Sequence, residues 1–279
     1  MSEATETPVA DDEVVTDRLF QGRLALRQFR RGHRAGTDAV LLAAAAGIDA
    51  GERFVDVGAG IGTVGLAMAL AQPQCTGVLF ERDPDVARLA LDNVQANAMS
   101  QRLTVTAGDI FKAADQANLA SSADLVVSNP PFYQPGTQRP STDARRRSAH
   151  MLSDAAGAAS PTHEDWVRAC LRLLGPKGRL LLIHRPDALA PILNTMQRRL
   201  GGLVLKSVHP RRDAPAIRIL VGGLAGSRAP LVIQPALVLH DHAGQFTAEA
   251  EALHAGEPMH FWQQKSRPKG RLFRQETSA

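Results

Sequence analysis

Cysteine is scarce in this chain: Cys75 and Cys170 are the only two, far apart and without metal-ligand spacing. A disulfide framework or a zinc site is therefore excluded as the organising element. Long apolar runs are also missing. No stretch of about 18 uninterrupted apolar residues occurs, so no membrane span is expected. The apolar stretch at 39–48 is short, lies between charged segments and reads as a buried helix. The first residues are acidic and carry no apolar core, unlike a secretory signal, and a cytoplasmic location is the expectation. Basic residues are absent from positions 1–17, which hold Glu3, Glu6, Asp11, Asp12, Glu13 and Asp17. This segment is expected to be a disordered tail. The whole chain carries +4, so the remainder carries +10, concentrated at 23–34, 145–147, 211–212 and 265–274. Such a surface suits a polyanion, because lysine and arginine neutralise phosphates and release their counterions. By itself it is equally compatible with solvated surface arginines.

The 279 residues, 44% of them hydrophobic, suffice for one substantial core. Three parts are expected: the tail to 17, a single domain over 18–250, and a basic tail over 251–279. Residues 18–36 read as a Gln/Arg/Gly-rich approach. Thr37 then caps a helix to Ala46, with Asp38 favourable at its positive end and Gly47 as its stop. From there β and α patterns alternate. Strands are expected at 53–58, 77–81, 103–106, 123–128, 179–184, 203–208, 216–221 and 236–240. Helices are expected at 62–70, after Asp83-Pro84, at 162–174 and at 187–200. Asp83 as cap and Pro84 in the first turn are a standard helix start; Ala87, Leu91, Val94 and Ala98 give that helix an apolar stripe. Residues 175–178, Gly-Pro-Lys-Gly, read as a turn. The segment 130–161 is long, irregular and rich in Pro, Ser and Arg, which marks it as functional or disordered. The alternation predicts an α/β fold: a doubly wound, mostly parallel, Rossmann-like sheet with helices on both faces. Ligands of such sheets bind beyond the carboxyl ends of the strands.

Asp56-Val-Gly58-Ala-Gly60-Ile-Gly62 joins a predicted strand to a predicted helix. Glycines there permit tight turning and close approach of a ligand to the backbone. The spacing Gly60-x-Gly62-x-x-Gly65, with Glu81 farther on, also satisfies a dinucleotide fingerprint, so a nucleotide-binding oxidoreductase stays open at this step. Asp56 two residues before the first glycine and Asp109 at the end of the third strand change the balance. The segment resembles motif I of class I methyltransferases. The resemblance implies that the loop cradles the methionine part of S-adenosylmethionine, that Glu81 binds the ribose hydroxyls and that Asp109 binds the adenine amino group.

Asn129-Pro130-Pro131-Phe132 directly follows the fourth strand. It resembles the signature of methyltransferases that act on nitrogen conjugated to a π-system. An aryl or amide nitrogen is a weak nucleophile because its lone pair is delocalised; accepting hydrogen bonds from its N–H groups localises that pair. Asn129 offers a side-chain carbonyl and Pro130 a backbone carbonyl, while the prolines stiffen the loop. Phe132 offers a face for a planar group. Tyr133, the single tyrosine, adjoins the motif.

Over about residues 16–250 the chain resembles the bacterial tRNA(Val) adenine-37 N6-methyltransferases. The resemblance rests on the two motifs, on Gln28, on the block Gly32-His-Arg34-Ala-Gly-Thr-Asp38-Ala-Val-Leu-Leu-Ala43, on Asn93 and Asn97, and on the Arg/Ala/His run near 145–150. His33 departs from the aromatic residue usual there. The family implies tRNA as substrate and makes Arg34 and Asp38 candidates for the cofactor pocket. Loop bases of RNA are splayed out at little unpairing cost. Arg145, Arg146 and Arg147 are the expected phosphate contacts, with Tyr133 beside the base. No metal is called for. Relatives with the same tetrapeptide that methylate guanine N2 in ribosomal RNA, or glutamine in release factors, remain alternatives.

Overall fold

The computed structural model describes residues 14–30, 36–112, 119–130 and 161–262. Among the site candidates, Arg34, Pro131, Phe132, Tyr133, Arg145, Arg146 and Arg147 lie outside the described residues, as does most of the 130–161 segment. Eleven strands and six α-helices are described. Strands β1 (Val14–Leu19) and β2 (Leu24–Phe29) pair as an antiparallel hairpin. They are followed by α1 (Thr37–Ala46), β3 (Arg53–Val57), α2 (Thr63–Ala71), β4 (Thr76–Glu81), α3 (Pro84–Ala96), β5 (Leu103–Ala107) and β6 (Ala123–Ser128). The rest comprises α4 (His163–Leu173), β7 (Leu174–His184), α5 (Leu189–Met196), β8 (Leu200–His209), β9 (Arg218–Ala225), β10 (Val232–Ile233), β11 (Leu237–Val238) and α6 (Ala248–Ala255).

Strands β3–β11 form one nine-stranded sheet in the order β10-β8-β9-β7-β6-β3-β4-β5, with β11 also pairing β8. All pairings are parallel except those of β9, which runs back between β7 and β8. The predicted fold class is thus the observed one. Both faces are covered, so successive residues of a central strand enter opposite cores. Phe54, Leu181 and Ile183 pack with α1 and α2, whereas Val55, Val57, Leu180 and Leu182 pack with α4 and α5. The chain winds from β3 through β4 to β5 in one direction and then returns to place β6 on the other side of β3. That reversal opens a crevice at the carboxyl ends of β3 and β6.

Several expectations change. Residues 14–17, assigned to the tail, form most of β1, and the approach at 18–36 contains the rest of the hairpin, whose buried face holds Leu24, Leu26 and Gln28. The domain also runs past residue 250. In α6 and beyond, Leu253, Met259 and Phe261 are buried in the core, and the Trp262 indole donates to the Ala46 carbonyl at 2.9 Å. Thr37 lies inside α1; the cap is Gly36, without a side-chain bond, although Gly47 ends the helix in the left-handed region as expected. The stripe on α3 is rotated: Leu91 is 41% exposed, and the buried positions are Ala87, Leu89, Ala90, Asn93 and Val94. The rotation turns Asn93 toward the hairpin. Residues 175–178 loop out inside β7, where Leu174 faces Ala123 and Arg179 already faces Leu125. The helix expected at 187–200 is shorter, because Leu200 begins β8. No described helix is long and apolar enough to cross a membrane.

Candidate active site

The hairpin is fastened to the glycine loop by two asparagines. Asn93 and Asn97 lie one turn apart on α3, and β2 presents Arg27 and Ala25 at a matching interval. The Asn93 carbonyl accepts from Arg27 N at 2.7 Å, and its amide donates to Arg27 O at 2.9 Å and to Ile61 O at 3.0 Å. Asn97 repeats the pattern with Ala25, at 3.0 and 2.7 Å. One buried amide therefore holds both the hairpin and the loop that follows β3.

Within that loop Gly58, Gly60 and Gly62 have φ of 70°, 57° and 89°. These left-handed values disfavour any side chain. A Cβ at Gly62 would stand 2.9 Å from Leu79 and one at Gly58 3.2 Å from Trp166, so packing also requires those two glycines. At Gly60 a Cβ would meet nothing within 4 Å. The space over the loop is open, a backbone cradle that a side chain would fill. Asp56 lies beneath, 1% exposed, and accepts from Gly65 N at 3.0 Å, tying β3 to the first turn of α2. Burial outweighs that hydrogen bond and, with the nearby Glu81 charge, pushes its carboxyl up to about 7.

Along the same edge, Glu81 ends β4. Its Oε2 accepts from Gly60 N at 2.8 Å, and its Oε1 accepts from Arg82 N and Asp83 N at 2.8 and 3.0 Å. Asp109 follows β5; it accepts from Phe111 N at 3.0 Å and lies 3.9 Å from Arg82. On the other side of β3, Val57 pairs with Ser128, so Gly58 and Asn129 leave adjacent strands at the same level. Pro130 is buried and Asn129 half-buried. The structure thus brings together Asp56, the glycines, Glu81, Asp109, Asn129 and Pro130. Asp38 stands apart from them in an ion pair, accepting from Arg218 Nε at 2.7 Å, which joins α1 to the start of β9.

Further residues at this edge escape sequence reading. Trp166, on α4, donates from its indole to Ser128 Oγ at 3.0 Å, and Ser128 donates to Val57 O at 2.7 Å. The same ring lies against Gly58 and meets Phe111 edge-on, with centroids 5.7 Å apart. It therefore couples the glycine loop, the Asn129 strand and the segment after Asp109. Its helix starts at a fixed point through a capping box between Thr162 and Asp165. His184, at the end of β7 beside β6, meets His163 edge-on at 4.8 Å. Burial, then the His163 charge, lowers the His184 imidazole to about 4. Cys75 and Cys170 are buried and form no disulfide; burial pushes the Cys170 thiol to about 12, leaving it inert.

Residues 35–158 match the methyltransferase small domain. A tRNA1(Val) (adenine(37)-N6)-methyltransferase of Porphyromonas gingivalis strain W83 is 35% identical, over 77% of this chain and 85% of the relative. Its counterpart in a second strain of that species is 32% identical, over 84% and 92%. The chain belongs to the tRNA1(Val) (adenine(37)-N6)-methyltransferase family. Among solved structures, one described as a predicted O-methyltransferase from Agrobacterium tumefaciens matches this methyltransferase at 28% identity. Its TM-score is 0.65, with coverage of 79% and 97%. A TYW2 from M. jannaschii, solved in complex with AdoMet, matches at 11% identity and TM-score 0.52, over 78% and 88%, and speaks for the shared fold. In this methyltransferase the crevice between β3 and β6 is the candidate active site.

Proposed function

We propose that this methyltransferase transfers a methyl group from S-adenosylmethionine to N6 of adenine 37 in a tRNA. The observation that carries the reading is the placement of the open glycine loop and Asn129 on adjacent strands, on the two sides of the crevice, in a family of that name. The cradle over Gly60 and the carboxylates of Glu81 and Asp109 fit this cofactor: open space against the loop backbone for its methionine part, and acceptors for its ribose hydroxyls and adenine amino group. Gly58 and Gly62 shape the cradle. Asp56 acts indirectly, by holding α2, and Asp38 acts indirectly too, by anchoring α1 to the start of β9 through Arg218. Arg34 is a further candidate for cofactor binding in this reading. Bound S-adenosylmethionine supplies an electrophilic methyl group on a sulfonium.

The chain's own part is to present the amine. The Asn129 side-chain carbonyl and the Pro130 backbone carbonyl accept its two N–H groups and bring the nitrogen lone pair out of conjugation. Pro131 restricts the loop, Phe132 stacks on the adenine, and Tyr133 adjoins it. A strong base is unnecessary, since the proton becomes acidic once nitrogen is alkylated and leaves to solvent. Arg145, Arg146 and Arg147 take RNA phosphates, which fix register and carry no sequence information directly.

Nucleoside mass spectrometry of bulk bacterial tRNA, incubated with enzyme and S-adenosylmethionine, tests the assignment. N6-Methyladenosine is expected with the wild type. Asn129→Ala should lower the rate by about 10²-fold or more while sparing cofactor affinity. A methylated guanine, or no RNA product, would overturn the adenine assignment; full activity of Asn129→Ala would overturn the role of that residue.

A further inference from the structure

The basic pair Arg211–Arg212 takes no part in the site above, yet the topology brings it to the same edge. Because β8 runs parallel to β6, its carboxyl end and the turn after it face the same way as Asn129. Three strand spacings separate β8 from β6, and β11 lies one farther, so this end of the edge is about 14–19 Å from the crevice. A cavity of about 280 Å³ opens there, lined by Arg211, Arg212, His240, Asp241, His242 and Thr247.

Its walls are fixed. The turn carrying the arginines is closed by Ala214 N donating to Arg211 O and by the His209 imidazole donating to Ala214 O at 2.8 Å. His240 N donates to Pro210 O at 3.0 Å, and Thr247 Oγ1 donates to Val238 O at 2.7 Å. His240 heads a stack of three rings. Phe246 lies 4.9 Å from it with planes 19° apart, and His254 lies 4.5 Å behind Phe246 at 25°. Arg211 and Arg212 are exposed, and among the described residues neither forms an ion pair. The one acidic group lining the cavity, Asp241, has one of its oxygens, Oδ1, tied to its own loop by Ala243 N and Gln245 N, both at 2.9 Å.

A rigid planar stack beside two unpaired guanidinium groups has the chemistry that holds an unstacked base and its phosphates. We propose that this cavity is a second RNA subsite, in which an unpaired nucleotide of the substrate loop stacks on His240 while Arg211 and Arg212 bind the flanking phosphates. The inference rests on the RNA-substrate reading and extends it: the RNA lies along the sheet edge, from the crevice to β11. Its separation from the crevice lets one RNA strand occupy both.

Fluorescence anisotropy with a synthetic anticodon stem-loop RNA, titrated over a range of salt, tests the subsite. Arg211→Ala with Arg212→Ala should weaken binding about tenfold near 0.1 M salt. It should also make the slope of log affinity against log salt shallower by about 1.4, two single-strand phosphate contacts at about 0.7 each. The double lysine variant should keep the slope. His240→Ala should weaken binding several-fold with the slope unchanged, and His240→Phe should retain affinity. Unchanged S-adenosylmethionine affinity in all four shows an intact fold. Wild-type binding with undiminished alanine variants, or a loss without a slope change in the arginine pair, would overturn the subsite and leave the proposed activity standing. A wild type that does not bind the stem-loop would overturn both.

Discussion

Replacing Asp56 with Asn should reverse part of the pH dependence of stability. In the fold, burial holds the Asp56 carboxyl at about 7, against an ordinary value of 3.8. Between those values the native state keeps a proton that the unfolded chain has released. Stability therefore falls as pH rises from about 4 to 7 and stays lower above. One unit corresponds to about 1.4 kcal/mol, so the full effect is about 4 kcal/mol. His184 opposes it. Its imidazole is held at about 4, against 6.5, so the unfolded chain takes up a proton first as pH drops. Its contribution is complete above 6.5 and is lost toward 4, about 3 kcal/mol in all. Over pH 4 to 6.5 the two slopes nearly cancel. Asn keeps an acceptor for Gly65 N–H and removes the titration. Any constant cost of its amide N–H groups displaces the whole curve without changing the slope. Urea unfolding from pH 4.5 to 8 should show the stability of Asp56→Asn relative to wild type rising by a few kcal/mol, while the variant's own curve climbs because the His184 slope is exposed. His184→Gln should give the opposite curve, falling with pH. A difference between Asp56→Asn and wild type that is the same at pH 4.5 and 8 would refute the reasoning.

Two other substitutions probe the crevice. Gly60→Ala places a methyl in the open cradle at a φ of 57°; it should cost about 1–2 kcal/mol of stability and raise the calorimetric Kd for S-adenosylmethionine by more than tenfold, and an unchanged Kd would place the cofactor elsewhere. Trp166→Phe keeps a ring against Gly58 but loses the bond to Ser128 Oγ; kcat should fall about tenfold with cofactor affinity little altered, and an unchanged kcat in single-turnover assays would reduce Trp166 to packing.

The central strands were legible because burial on both faces writes them as apolar runs, as in residues 53–57 and 123–128, and their strand-end carboxylates and Asn129 followed from position. The hairpin was not. Only Leu24, Leu26 and Gln28 of β2 turn inward and are buried, so its alternation is short and is masked by arginines. The C-terminal boundary failed for a related reason: Phe261 and Trp262 stand just before a basic run that dominates composition. Trp166 was invisible as a site residue because its partners, Gly58, Phe111 and Ser128, come from three distant parts of the chain. Its helix shows a periodic apolar face and nothing about what that face touches.

The pairing of Asn93 and Asn97 with β2 has a consequence for the surface. A two-stranded ribbon ordinarily leaves a row of backbone donors and acceptors along its open side, a template on which another chain can add a strand. Here the outward amides and carbonyls of Ala25 and Arg27 are already satisfied by a helix, through side-chain amides that imitate the peptide groups of a neighbouring strand. Two asparagines thus close the β2 side of the ribbon, and on that side a strand that would otherwise invite intermolecular β-pairing is kept as the private partner of its own domain.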